Sequence, residues 1–301
     1  MVEHRTIDKP RFYLYIVEPS TTCLSTQANP SENEIMTSSR KKALVTGASS
    51  GIGAVYADRL AARGYDVILV ARRADRLAAL SQTLSNTHGV NVEVVAADLE
   101  KDADVAKIEK LLIDDASVEL LVNNAGLARL RPLAGSSFDD TKSQVSLNIT
   151  ALTRLTQAVL PRFVSRDSGT IINVASVLAV HSLAISAVYS GTKAYVLAFS
   201  RGLQEELANT GVKVQVVLPA STATEIWSEG VSGVPLSALR QETIMSAEDC
   251  VDAALAGLDK GEAFTWPSVA DESLWTKYDA ARAALFAATQ TGTPAPRYRK
   301  A

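Results

Sequence analysis

Two cysteines in 301 residues, Cys23 and Cys250, stand alone and far apart. That spacing offers neither a disulfide framework nor a metal-binding pattern, and it suits a reducing, cytoplasmic setting. No apolar run approaches the roughly 18 residues of a membrane span, and residues 1–40 lack a basic stretch followed by an uninterrupted apolar one. Neither a membrane anchor nor a signal peptide is expected. Long blocks of like charge are also missing, and the net charge is only -3, which argues against nucleic acid or an anionic membrane as partner.

What is present is apolar patterning, with 47% hydrophobic residues, enough to bury one large core. Residues 1–40 stand apart as an extension expected to be disordered, rich in Ser, Thr, Asn, Pro and Glu after Arg11-Phe12-Tyr13. Met36, just before Thr37, offers a second translation start. From Lys42 onward, short β-branched runs alternate with helical patterns. The predicted strands are Ala43–Thr46, Asp66–Val70, Val92–Ala96, Leu120–Asn123, Thr170–Val174, Lys213–Leu218 and Phe264–Trp266. Most are continuously apolar, as strands covered on both faces must be. Helices are predicted over Ile52–Arg63, stopped by Gly64, and over Asp75–Asn86, with leucines at 77, 80 and 84 on one face.

The first strand runs into Thr46-Gly47-Ala48-Ser49-Ser50-Gly51-Ile52-Gly53, which opens a helix. Gly47 permits the sharp turn, Gly51 the close approach of a pyrophosphate to helix N–H groups, and Gly53 tight packing of helix on strand. Further on come Asp98-Leu99 after the third strand, Asn123-Asn124-Ala125-Gly126 after the fourth, Asn148, Ser176, and Tyr189-Ser190-Gly191-Thr192-Lys193. Tyr189 and Lys193 are one helical turn apart, so a lysine charge could favour the phenolate and bring the phenol's pKa, ordinarily near 10, toward neutrality. Ser176 ends a strand at the sheet edge where ligands bind.

In this order the motifs resemble those of the short-chain dehydrogenase/reductase family over residues 43 to about 225. The resemblance implies an α/β fold: one Rossmann-type, doubly wound domain over residues 41–268, its mainly parallel sheet of about seven strands flanked by helices on both faces. Residues 269–301 are then a C-terminal helical extension packed on it. It also implies an oxidoreductase moving a hydride between nicotinamide and a carbonyl or secondary alcohol, without a metal. Tyr189 is the expected general acid/base, Ser176 the substrate-oxygen partner, Lys193 the ribose-holding cation and Asn148 the anchor of a proton-relaying water. Cofactor contacts are expected from Gly47, Ser49, Ser50, Gly51, Ile52, Gly53, Asp98, Leu99, Asn124, Ala125, Gly126, Pro219, Thr222 and Thr224. Ala220 replaces a family glycine after Pro219. Ala71-Arg72 at the second strand's end favours NADP(H), because Arg72 can grip a 2′-phosphate. Arg73 and Arg76 are expected in solvated helix turns. Val177, Leu178, Leu183, Ile226 and Trp227 predict an apolar substrate pocket, with residues 224–247 as a mobile lid. Self-association as dimer or tetramer is expected. The alternatives are a 3-oxoacyl-carrier-protein ketoreductase and a non-catalytic NADP(H)-binding sensor.

Overall fold

The structure is a computed structural model that describes residues 40–299. The expected disordered extension therefore lies outside the described residues. Seven parallel strands form one sheet in the order β3-β2-β1-β4-β5-β6-β7. They are β1 (Lys42–Thr46), β2 (Asp66–Ala71), β3 (Val92–Ala96), β4 (Val118–Asn123), β5 (Gly169–Val174), β6 (Val212–Val217) and β7 (Phe264–Thr265). The helices are α1 (Gly51–Ala62), α2 (Ala74–His88), α3 (Asp102–Asp114), α4 (Phe138–Val145), α5 (Leu152–Ser165), α6 (Ala187–Glu206), α7 (Ala247–Asp259) and α8 (Ser273–Ala288).

Strand side chains alternate between faces, and each face finds its own helices. On one face Val45, Leu69, Val122 and Ile172 pack with Tyr56 and Leu60 of α1, Leu77 and Leu84 of α2, and Leu255 of α7. On the other, Leu44, Ile68, Leu121 and Ile171 meet Ile108 of α3, Leu155 and Phe163 of α5, and Leu203 of α6. Each such aliphatic or aromatic side chain contributes about 1.5–3 kcal/mol by leaving water. Two-sided burial is why these strands read as unbroken apolar runs.

Strand β1 pairs with β2 on one side and β4 on the other. Successive connections leave it in opposite directions, so a crevice opens at the carboxyl ends of β1 and β4. At the far edge, α8 meets β7 through aromatic contacts, with Trp275 lying 4.9 Å from Phe264 and 5.1 Å from Trp266. Of the apolar residues of α8, Leu274, Tyr278 and Leu285 remain exposed. Trp275 docks, and Tyr278 stacks on it within α8.

Candidate active site

The glycine-rich turn joins β1 to α1, and its geometry demands glycine. Gly47 and Gly51 have φ of 68° and 55°, a region that a Cβ disfavours. A Cβ on Gly53 would stand 2.3 Å from the Gly47 carbonyl oxygen, and one on Gly51 would stand 2.8 Å from Thr224 Cγ2. The first N–H groups of α1 carry no side-chain cap from Ser50, and no acidic residue lies in the first turn. They are left to serve an anion.

Thr46 and Asn124 hold this turn against β4. Thr46 Oγ1 accepts from Asn124 N and Ala125 N, both at 3.0 Å, and donates to the Val122 carbonyl at 3.1 Å. Asn124 Nδ2 donates to the Thr46 carbonyl at 2.9 Å. Thr46 was not singled out from the sequence, although its place before Gly47 was the available signal.

One large cavity of about 490 Å³ runs from this turn along the crevice. Its walls include Gly47, Ser49, Ser50, Gly51, Ile52, Arg72, Asp98, Leu99, Asn124, Ala125, Gly126, Ser176, Tyr189, Lys193, Pro219, Thr222 and Thr224, with Ala220 in the family glycine's place. Gly53 and Asn148 lie behind the wall. His181, in the loop after Ser176, is exposed and away from it. The expected apolar residues Val177, Leu178, Leu183, Ile226 and Trp227 line the other end, joined by Leu127, Leu130, Val231, Val234 and Leu239.

Helix α6 carries Tyr189 and Lys193 on one face. Lys193 Nζ donates to the Val174 carbonyl at 2.8 Å and lies 5.8 Å from the Tyr189 ring centre. Burial lowers its pKa to about 8. The expected depression of the phenol's pKa does not occur in this arrangement. Burial raises Tyr189 to about 12, with only the nearby Ser176 hydroxyl pulling it down. The reason is geometric: Lys193 directs its ammonium to Val174 rather than to the phenol oxygen.

Asn148 sits in a π-helical turn, Ser146–Ala151, between α4 and α5. Its Nδ2 donates to the Leu127 carbonyl at 2.8 Å and to Thr192 Oγ1 at 3.0 Å, while Oδ1 accepts from Leu127 N at 2.8 Å. Both amide protons are therefore committed to positioning the β4 loop and the residue before Lys193. A Cβ on Gly126 would lie 3.5 Å from both Asn148 Oδ1 and Lys193 Nζ.

Arg72 is largely exposed, with a long 3.4 Å contact to Glu100. Arg73, expected in a solvated turn, instead folds back over the glycine-rich turn. Its Nη2 donates to Ser49 Oγ at 2.8 Å and Ser50 Oγ at 2.7 Å. Segment 224–247 is tied at both ends of the cavity. Trp227 Nε1 donates to the Thr222 carbonyl at 2.9 Å, and Arg129 Nη1 donates to the carbonyls of Gly230, at 2.9 Å, and Val231. Among the described residues no group of three potential metal-ligating side chains converges, and no helix is long and apolar enough to cross a membrane.

This donor set fits an elongated ligand with phosphates at the glycine-rich turn and a reacting group beside Tyr189. Glycines that leave room, uncapped N–H groups and arginines with serine hydroxyls occupy one end. A phenol, an ammonium and an apolar chamber occupy the other.

The short chain dehydrogenase family profile matches residues 41–233. A short-chain dehydrogenase from Sphingobium yanoikuyae in complex with NADPH is 42% identical, with a TM-score of 0.82, covering 86% of this chain and 100% of that one. A bulky-bulky ketone specific alcohol dehydrogenase from Comamonas testosteroni is 36% identical, with a TM-score of 0.79, covering 86% and 99%. A very-long-chain 3-oxoacyl-CoA reductase of Danio rerio is 36% identical over 190 residues, 62% of this chain and 59% of that protein. The chain thus spans about three fifths of the length of the first curated relatives it matches. It belongs to the short-chain dehydrogenase/reductase family.

Proposed function

We propose that the chain is an NADP(H)-dependent oxidoreductase acting on bulky, largely apolar ketones or secondary alcohols, with Tyr189 as general acid/base. The observation that carries this reading is the meeting of Tyr189, Ser176 and Lys193 in one cavity that runs on to the glycine-rich turn. The NADPH-bound relative and the ketone-specific one support coenzyme and substrate class respectively.

Bound along the crevice, the nicotinamide supplies or accepts the hydride. The glycine-rich turn and the α1 N-terminus would hold its pyrophosphate, Asp98 the adenine, and Lys193 the nicotinamide ribose. Ser176 orients the substrate oxygen, and Tyr189 gives that oxygen its proton in reduction or takes it in oxidation. A phenol at about 12 is a weak acid and is scarcely ionised near neutrality, so the Lys193 charge must draw closer for efficient proton exchange in either direction. Space left by Gly126 between Lys193 and Asn148 Oδ1 suits a relay that returns the proton to solvent.

A thioester carrier would need a basic rim for its phosphates. Among the lining residues the cations are Arg72 and Arg73 at the coenzyme end and Lys193, which is buried beside Tyr189 and not on a rim. The ketoreductase alternative is therefore the weaker one, and the intact Ser176, Tyr189 and Lys193 set argues against a non-catalytic sensor. Screening bulky ketones and secondary alcohols with NADPH and NADP⁺ tests the reading. Saturable coenzyme binding without turnover over a broad panel would favour the sensor.

NADP(H) over NAD(H) is assigned to the Ala71-Arg72 strand end, where no carboxylate repels a 2′-phosphate. Comparing kcat/KM for both coenzymes in the native protein and in Ala71→Asp/Arg72→Ala tests it. Equal or better use of NAD(H) by the native protein would reject the assignment. Val145 and Val164, exposed at the end of α4 and on α5, support self-association as dimer or tetramer. Light scattering that gives only the monomer mass at micromolar concentration would reject that. Cys250, buried and unpaired, agrees with a reducing cytoplasm.

A further inference from the structure

The first residue of the lid after Thr224 is a carboxylate, and it is not solvated alone. Glu225 accepts from Arg73 Nη1 at 2.6 Å and from Arg76 Nη1 at 2.5 Å. Those two arginines hold its carboxyl down at about 2, so it is charged throughout the working pH range. Arg73 meanwhile spends its other donors on Ser49 and Ser50, the hydroxyls beside the glycine-rich turn. Thr224, one residue earlier, stands over Gly51. The bridge thus joins the β2–α2 loop to the start of the lid across the coenzyme end of the cavity.

We propose that Glu225 is a coenzyme-specificity residue that occupies Arg73 and Arg76 in the place a 2′-phosphate would take, and must be displaced by it. The inference rests on the reading that NADP(H) puts its 2′-phosphate at the carboxyl end of β2.

The argument is one of charge and donors. A 2′-phosphate near Arg72 enters a region where Arg72, Arg73 and Arg76 face Glu100 and Glu225. Arg73 keeps one N–H, the second on Nη1, beside the carboxylate, since Nε and Nη2 serve the serines and Nη1 already serves Glu225. A dianion taking that remaining N–H would lie against the Glu225 carboxylate and be repelled by its like charge. The phosphate replaces the carboxylate, inherits the serine-oriented guanidinium, and releases the start of the lid from the β2–α2 loop. NADH makes no such exchange and leaves the bridge in place. Glu225 therefore lowers the preference that the arginines alone would give.

The test is fluorescence titration of the full chain with NADPH and with NADH, in native protein and Glu225→Gln, without substrate. Glu225→Gln keeps the shape of the side chain and removes its charge, and both ends of the bridge are exposed enough for folding to survive, which thermal unfolding checks. The expected result is that the ratio of Kd(NADPH) to Kd(NADH) falls about tenfold in Glu225→Gln, the worth of one charge-assisted hydrogen bond. Arg73→Gln should raise the same ratio and shrink the effect of Glu225→Gln in the double variant, leaving the part that Arg76 carries. An unchanged or increased ratio in Glu225→Gln overturns the proposal. If that happens while native protein still prefers NADPH and Arg72→Ala removes the preference, only this inference falls and the coenzyme reading stands.

Discussion

Lys193 directs its ammonium to the Val174 carbonyl, 2.8 Å away, in a site where the residue is only 5% exposed. A buried cation with one hydrogen bond is costly, and helix α6 holds it there at the expense of stability.

Lys193→Met should therefore stabilise the coenzyme-free protein while destroying activity. Burial takes Lys193 from 10.5 to about 8. That shift costs about 3 kcal/mol, and loss of the Val174 hydrogen bond returns about 1, leaving a net gain of roughly 2 kcal/mol. The sign with pH follows from the depressed folded value. Below pH 8 both states hold the charge and the folded one bears the full penalty. Between there and 10.5 the unfolded chain binds the extra proton, so native stability rises with pH. Urea unfolding of both proteins across this window should show the variant's advantage shrinking. An advantage that is absent at neutral pH, or grows with pH, would contradict the burial argument.

Gly53→Ala and Gly64→Ala should differ in kind. A Cβ at residue 53 meets backbone at 2.3 Å, whereas one at 64 meets nothing within 4 Å and suffers only from φ of 86°. The expected loss at Gly53 is about 3 kcal/mol or more, with coenzyme binding impaired as the turn shifts. At Gly64 it is about 1–2 kcal/mol, with coenzyme affinity unchanged. Equal losses with intact coenzyme binding in both would contradict the cradle's tightness.

Trp275→Ala should loosen α8 without touching the site. Trp275 bridges Phe264 and Trp266, and Arg201 lies 5.4 Å over its ring while holding Asp279 at 2.8 Å. Faster amide exchange confined to residues 273–288, with a stability loss of about 1–2 kcal/mol and unchanged NADPH affinity, is expected. Exchange unchanged in α8 would show that other contacts hold it.

The sheet was legible in the sequence because its central strands are buried on both faces and the more exposed edge strand β3 is still β-branched, so each predicted strand falls within a residue or two of an observed one. Helix ends marked by Gly51 and Gly64 were equally plain. Contacts set by sheet order were not. Arg73 reads locally as a helix-start cation; only the pairing of β1 beside β2 brings it onto Ser49 and Ser50. Glu225 and Arg76 are 149 positions apart, and no local pattern joins them. Tyr189 and Lys193 are neighbours in sequence and on α6, yet which oxygen the ammonium chooses depends on β5, where Val174 ends the strand. Asn148 was found as a residue, but its π-helical setting and its three hydrogen bonds, to Leu127 and Thr192, come from the packing of this turn against the β4 loop and α6.

The proton-transfer role of Tyr189 is tested most directly by NADPH-dependent reduction of a bulky apolar ketone, in native protein and Tyr189→Phe, with NADPH affinity measured in parallel by fluorescence titration. The phenylalanine keeps the ring and removes only the hydroxyl. Loss of at least about a hundredfold in kcat/KM with nearly unchanged NADPH affinity is the expected result. Turnover by Tyr189→Phe close to the native rate would contradict the assignment of this phenol as the acid.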